Sequence, residues 1–447
     1  MDELWPAVEG TTISYISRPP SEIWQREFPR SLVILGSTGS IGRNALRIVT
    51  ANREAFQIVG LSCARNITSL AAQARQFRPP FLAVLDDEVA GGLKKLLPKN
   101  YSPTVFIGSK GYAQMASLPQ ATTVLAAQVG AAGLRGTVSA ALAGKVICLA
   151  NKESLVLAGH AVREICARTD ATVLPVDSEH NALFQCVAGH GQTIRSLILT
   201  ASGGPFFGKN VDSLRRVTKA QALNHPNWRM GAKISIDSAT MMNKGLEIIE
   251  ASHLYGVPAH NLRVLVHPQS VVHSLAELAD GSLLALMGTA DMRLPLAHCL
   301  LWPRCAQAGA NRIDLTSVGA LSFHEPDSAT FPCLDLARRA LESGTDICTV
   351  MNAANEAAVE LFLNDACSFA DIPLLTAKAM ENYPENIRTN TTDTSADPAP
   401  ATEAWLRHIE ELDRASRVFV YSLAKSQSDQ TGRNIVRIKP QTAHSGE

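Results

Sequence analysis

Residues 31 to 50 read SLVILGSTGSIGRNALRIVT: an apolar run, a glycine-rich turn and a helical pattern in direct succession. Residues 32–35 have no polar member, as expected of a strand covered on both faces. Gly36, Gly39 and Gly42 punctuate the turn, and residues 44–50 recur at helical spacing. A strand passing through glycines into a helix suits a pyrophosphate. The glycines allow a tight turn and close backbone approach, and the helix start offers unpaired N–H groups. The spacing is GxxGxxG rather than GxGxxG, so on the motif alone a plain glycine-rich turn stays open.

Outward from this stretch, short β-rich runs alternate with Ala-rich helical segments. The runs fall at 57–62, 82–85, 123–125, 146–150 and 172–176. Apolar strands separated by helices predict a parallel sheet with helices on both faces. Residues 195–286 again mix strands (197–200, 264–266, 283–286) with a helix. Residues 287 to about 335 carry few strand signals and read as a connecting segment. From Phe331 the chain turns Ala/Leu/Glu-rich, as in a helical bundle, ending in a helix at 405–418. The expected division is a loosely packed N-terminal extension (1–30), a parallel-sheet α/β domain (31–176) and a second α/β domain (177–311). A connecting segment (312–340), a C-terminal α-helical bundle domain (341–425) and a polar tail expected to be disordered (426–447) complete it. Residues 384–402, rich in Thr, Asn, Asp and Pro, are expected to form a mobile loop.

Lys plus Arg and Asp plus Glu both number 41. Zero net charge argues against nucleic acid or an anionic membrane as partner. Nine cysteines without CxxC or Cys/His spacing read as reduced core thiols. The acidic start MDELWPAVEG lacks signal-peptide and transit-peptide character, and no apolar run approaches the ~20 residues of a membrane span. A cytoplasmic location is the expectation.

Where an NAD enzyme would place an acid at the end of the second strand, this chain has Ser62-Cys63-Ala64-Arg65-Asn66. An Arg with no acid favours the 2′-phosphate of NADP.

The richest stretch is 225–250, HPNWRMGAKISIDSATMMNKGLEIIE. Asp237-Ser238 reads as the cap of a helix continuing through Met241, Met242, Leu246 and Ile249. Asn243 and Lys244 stand one turn before Glu247, so the three share a face. Hydroxyl, amide and ammonium near a helix start suit a phosphate, and the carboxylate suits a hard cation. Lys152 follows the apolar run 146–150, where open α/β sheets bind ligands. Asp177 and Glu179 end the run 172–176 and, with Glu247, would offer three carboxylates to Mg²⁺ or Mn²⁺. An acidic helix N-terminus at Asp177 is the plainer alternative. His180 and His225 lack the partners of a zinc site.

Taken together these residues resemble the 1-deoxy-D-xylulose 5-phosphate reductoisomerases, NADPH enzymes of the methylerythritol phosphate route to isoprenoids. The resemblance runs from about Ser31 to Leu363. It rests on GSTGSIG, GAAGL (130–134), LANKESLV (149–156), LPVDSEHNA (174–182), TASGGPF (200–206), the block at 225–251, VHPQSVVHS (266–274), FPCLDLA (331–337) and NAANEAAV (352–359). It implies NADPH contacts at Thr38, Gly39, Ser40, Ile41, Ala64, Arg65, Asn66, Asn151, Glu153 and Gly231. It implies one divalent cation (Mg²⁺, Mn²⁺ or Co²⁺) on Asp177, Glu179 and Glu247. Substrate contacts would come from Lys152, Ser178, Glu179, Ser202, His225, Ser238, Asn243, Lys244 and Glu247. Of these, Lys152, His225 and the three carboxylates would be catalytic. It further implies a homodimer in which 31–176 is a Rossmann-type NADPH-binding domain, 177–311 the α/β catalytic domain with a flexible lid, and 341–425 a C-terminal α-helical domain. Residues 203–232, with plentiful glycines and prolines around Trp228 and Met230, would be the lid. Where many members have Ala-Gly-x-Asn, this chain has Cys63-Ala64-Arg65-Asn66.

The implied reaction rearranges a ketose phosphate to a branched aldehyde and reduces it to 2-C-methyl-D-erythritol 4-phosphate. The competing reading is another NADP enzyme, a semialdehyde or homoserine dehydrogenase, which would need no metal for hydride transfer. A nucleotide-sensing module without catalysis would have substitutions among these positions, and none is seen.

Overall fold

The computed structural model describes residues 15–188, 193–305, 308–383 and 403–431. Seven strands form a parallel sheet: β1 (Arg30–Leu35), β2 (Phe56–Ser62), β3 (Phe81–Val84), β4 (Thr104–Ile107), β5 (Thr123–Ala126), β6 (Val146–Leu149) and β7 (Thr172–Pro175). Their order is β4-β3-β2-β1-β5-β6-β7. The strand order reverses between β1 and β5, and a crevice opens outside the carboxyl ends of such a pair. Along the strands successive side chains enter different cores. Leu32, Ile34 and Leu82 pack in one, Val33, Leu35 and Ala83 in the other. Burial on both faces explains why these strands read as unbroken apolar runs.

A second sheet holds β8 (Ile194–Ala201), β9 (Leu262–Val266), β10 (Val272–Leu278) and β11 (Leu283–Met287) in the order β11-β10-β8-β9. β8 and β9 are parallel, while β10 runs antiparallel to both β8 and β11. The helix Met242–Tyr255 lies between β8 and β9 in sequence and packs on the helices Glu153–Thr169 and Cys333–Ser343. A Cβ on its Gly245 would stand 2.6 Å from that of Ala337, so only glycine lets the two helices approach this closely. The helices Thr345–Leu363, Asp371–Glu381 and Glu403–Thr431 complete the C-terminal bundle with Cys333–Ser343.

Four expectations need correction. Residues 15–29 are not loosely attached: Ile16 and Trp24 are buried, and Trp24 Nε1 donates to Thr123 Oγ1 at 3.0 Å. The Arg30 guanidinium lies 3.4 Å from the Trp24 ring centroid. The segment after 287 contains a helix, Arg293–Leu301, whose Leu296 and Leu300 share a core with Leu32 and Ile34. Asp237 and Ser238 do not cap a helix. They lie inside Ala232–Ala239, and Met241, at φ +66°, separates that helix from Met242–Tyr255. The last helix runs on to Thr431, into the expected polar tail. Residues 384–402 and 432–447, expected to be mobile, lie outside the described residues. Among the described residues no helix is long and apolar enough to cross a membrane.

Candidate functional site

Asp177 and Glu179 are delivered by β7, which ends at Pro175 and turns into the helix Ser178–Val187. Glu247 comes from one turn inside Met242–Tyr255, where it is fully buried. One oxygen from each of the three carboxylates lies within 4.8 Å of the others. Lys152, at the start of the helix after β6, pairs with Asp177 and, at 3.0 Å, with Glu247 Oε1. Lys244 pairs with Glu247 and reaches Glu179 Oε1 at 2.9 Å. Asn243 donates to Glu247 Oε1 at 2.6 Å and accepts from Lys152 Nζ at 3.0 Å. Ser178 donates to Glu179 Oε2 at 2.6 Å.

This donor set fits a hard cation. It offers anionic oxygens alone, already converged, with two ammonium groups meeting their charge. Burial opposes ionisation of Asp177, yet Lys152 and His180 hold its carboxyl well below the usual range. Burial and the charge of Glu247 push Glu179 upward instead. Lys152 and Lys244 are penalised by burial but kept charged by the carboxylates around them.

Behind this cluster His180 Nε2 lies 2.9 Å from Glu250 Oε2, both side chains fully buried. Glu250 stands three residues after Glu247 and so on the same face, a spacing visible in the sequence.

His225 sits in the 203–232 segment with a defined hydrogen-bonding state. Its Nδ1 accepts from the backbone N–H of Trp228 at 3.0 Å and of Asn227 at 3.2 Å. Nε2 therefore carries the proton and donates to Ser202 Oγ at 2.9 Å. Burial lowers its pKa, which favours this neutral form. The turn after Ser202 packs on the backbone of Ser238: a Cβ on Gly204 would stand 2.7 Å from the Ser238 oxygen. Trp228 and Met230 are half-buried, and the Trp228 ring meets His273 edge-on at 6.4 Å between centroids. His273 is a further neighbour, brought here from β10 with no local spacing to announce it.

At the other end, a cleft of about 660 Å³ is lined by Gly36, Thr38, Gly39, Ala64, Leu85 and Tyr112 among others. Gly36 has φ +82°, and a Cβ there would be 2.5 Å from the Ala127 oxygen, so the turn leaving β1, pressed against the chain leaving β5, demands glycine. Gly39 is the N-cap of Ser40–Ala51 and no side chain caps it, leaving that helix start open to an anion. Ser40 and Ile41 form the helix's first turn. Arg65 is largely exposed with Nη1 3.5 Å from Asp86 Oδ2, and Asn66 caps the helix Ile67–Phe77 through Ser69 N at 3.1 Å. Asn151 is buried: it donates to Gln128 O at 2.7 Å and to Gly130 O at 3.0 Å, bracing the loop after β5. Glu153 pairs with Lys233, and Gly231 caps the helix that carries this lysine.

Three family models cover most of the chain. 1-Deoxy-D-xylulose 5-phosphate reductoisomerase matches residues 32–159, the C-terminal domain of that enzyme matches 173–255, and the DXP reductoisomerase C-terminal domain matches 287–415. The chain belongs to the 1-deoxy-D-xylulose 5-phosphate reductoisomerase family. The reductoisomerase of Nitratidesulfovibrio vulgaris strain Hildenborough is 55% identical over 413 residues, covering 92% of this chain and 98% of the relative. That of Lawsonia intracellularis is 52% identical over 405 residues, 90% of this chain and 97% of the relative. A reductoisomerase crystal structure with NADPH, fosmidomycin and magnesium superposes with a TM-score of 0.82 at 40% identity, covering 89% of this chain and 99% of that one. The Zymomonas mobilis reductoisomerase with NADPH gives 0.80 at 39% identity, over 89% of this chain and 100% of that one.

Proposed function

We propose that the converged Asp177, Glu179 and Glu247 hold the divalent cation of a reductoisomerase, with the nucleotide in the cleft at the β1/β5 crevice. The activity is the NADPH- and metal-dependent rearrangement of 1-deoxy-D-xylulose 5-phosphate and its reduction to 2-C-methyl-D-erythritol 4-phosphate, which supplies isoprenoid precursors. The observation that carries the assignment of residues is the meeting of three carboxylates from two separate elements within 4.8 Å. When bound, the cation supplies Lewis acidity and a template for neighbouring oxygens of the ketose. When bound, NADPH supplies the hydride.

The chain's own residues hold the substrate. Lys244 and Asn243 rise from the same helix face as Glu247 and, with Ser202 and Ser238, would grip the phosphate. Remote binding energy of this kind orients the reacting end. Neutral His225, its Nε2–H directed at Ser202, is a fixed donor for the same end. Lys152, between Asp177 and Glu247, places an ammonium beside the carboxylates where oxygen charge develops. Residues 203–232, carrying Trp228 and Met230, would fold over bound substrate and exclude water.

The working form would be a cytoplasmic homodimer. In support, β11 is an edge strand with Leu283 and Met287 exposed, and such edges are ordinarily paired or covered. The test is NADPH consumption by purified protein given the ketose phosphate and Mg²⁺. Consumption that a chelator abolishes is expected, and its absence in the presence of Mg²⁺ would overturn the reading.

A further inference from the structure

Lys233 stands two residues beyond Gly231, where the candidate lid ends and the helix Ala232–Ala239 begins. Its Nζ lies 2.8 Å from Asp237 Oδ2, 3.0 Å from Glu153 Oε1 and 3.9 Å from Glu356 Oε1. The three acids come from three elements. Asp237 belongs to the lysine's own helix and also accepts from Asn355 Nδ2 at 2.8 Å. Glu153 opens the helix after β6, next to Lys152. Glu356 lies in Thr345–Leu363 and is shared with Arg417 of the terminal helix, Nη2 to Oε2 at 2.5 Å. Arg417 in turn lines the nucleotide cleft and pairs with Asp413.

In this group four carboxylates, on Glu153, Asp237, Glu356 and Asp413, face two cations, Lys233 and Arg417. With acid in excess and little water, the site demands that the lysine stay where it can reach all three of its partners. An ammonium does this as a compact point charge, at hydrogen-bond distance from Asp237 and Glu153 and at longer ion-pair range from Glu356. Gly231, two residues before it, is the N-cap of this helix, and its carbonyl accepts from Ser235 N at 3.1 Å and from Ser235 Oγ at 3.0 Å. The lysine is thus anchored at its tip, and at its root it stands on the helix start that the lid runs into.

We propose that Lys233 is a positioning residue that couples the lid to the nucleotide cleft. A nucleotide that fixes Glu153 fixes Lys233, and with it the start of the helix from which the lid springs. A substrate that draws the lid down orders Glu153 through the same contact, and the two effects must be equal by linkage. This rests on the reading that 203–232 covers the substrate and that Glu153 borders the nucleotide.

The experiment is calorimetric binding of NADPH and of fosmidomycin with Mg²⁺, each alone and in the presence of the other. Wild-type protein should bind each ligand about tenfold more tightly when the other is present. Lys233→Met should lose most of that factor while keeping its affinity for NADPH alone within about threefold, and Lys233→Arg should keep it. Glu153→Gln relieves the acid excess instead of adding to it, so it should fold and show the same uncoupling. No mutual tightening in wild-type protein, or full tightening in Lys233→Met or Glu153→Gln, overturns the proposal. Failure of the functional reading would show separately, as absent metal-dependent NADPH consumption in the wild type.

Discussion

Lys152 Nζ lies 3.0 Å from Glu247 Oε1, although the two residues are 95 positions apart and rise from different helices. Each lysine of the site has a second carboxylate, Asp177 for Lys152 and Glu179 for Lys244. Glu247→Gln therefore leaves neither ammonium unpaired, and the fold should persist. An amide is a poor ligand for a hard cation, so kcat should fall by about a hundredfold or more, a Lewis acid being worth several kcal/mol. Retained turnover at saturating Mg²⁺ would remove Glu247 from the metal site.

Cofactor choice is expected to depend on Arg65. Its guanidinium is largely exposed beside the cleft, and only Asp86, 3.5 Å away, engages it among the described residues. Pairing with a 2′-phosphate would be charge-assisted, so Arg65→Ala should raise KM for NADPH about tenfold and leave KM for NADH unchanged. Equal losses with both cofactors would refute the 2′-phosphate role.

Much of this was legible in the sequence because it is local. The strand before Gly36 announces itself by an unbroken apolar run, and Asn243, Lys244 and Glu247 share a face by helical spacing alone. What escaped depends on distant partners. Asp237-Ser238 looks like a cap because Asx and Ser before a periodic run usually are, but Lys233 and Asn355 hold Asp237 inside a helix. The break falls instead at Met241, a residue with no special liking for positive φ. β10 does not announce itself because His273, Ser274 and Glu277 interrupt its apolar pattern. β4 is equally silent, being a short, partly exposed edge strand. Nothing local tells that Trp24 will stack on Arg30 and reach Thr123.

That stacking gives a stability prediction. Trp24 is 5% exposed, with its Nε1 satisfied and a guanidinium against its ring. Trp24→Ala should cost about 3–5 kcal/mol, as aromatic truncations in cores do. Urea unfolding of the two proteins measures it. A change below about 1 kcal/mol, the usual level for surface positions, would return residues 15–29 to a loose extension.

Acid should destabilise the protein through two histidines that burial keeps neutral. Burial, with Arg163 and His160 nearby, lowers the His253 pKa to about 3, and burial lowers that of His298 to about 4. Both sit at 6.5 when unperturbed. Between those values the unfolded chain binds protons that the folded chain refuses, so stability rises with pH and falls as pH drops below 6.5. Each histidine contributes about 1.4 kcal/mol per pH unit inside its window. Urea unfolding at pH 7 and at pH 5 should show the loss, and His253→Leu should lessen its slope by about one proton. Equal slopes in wild type and His253→Leu would contradict the burial of that ring as a neutral imidazole.

Trp228 offers the sharpest test of the lid. Its ring is half-buried, meets His273 at 6.4 Å, and its backbone N–H helps hold His225 in the neutral form that donates to Ser202. An indole needed only as an anchor would show its loss in the melting temperature. One that closes over substrate shows it in substrate use. Trp228→Ala keeps the backbone N–H to His225 and removes the ring alone. We expect kcat/KM for the ketose phosphate to fall about tenfold or more, roughly 1.4 kcal/mol of transition-state binding, with a melting temperature within a few degrees of wild type. Calorimetry and steady-state kinetics on one preparation separate the two outcomes. Unchanged kcat/KM together with a large drop in melting temperature would make Trp228 a packing residue and leave residues 203–232 without a closing role.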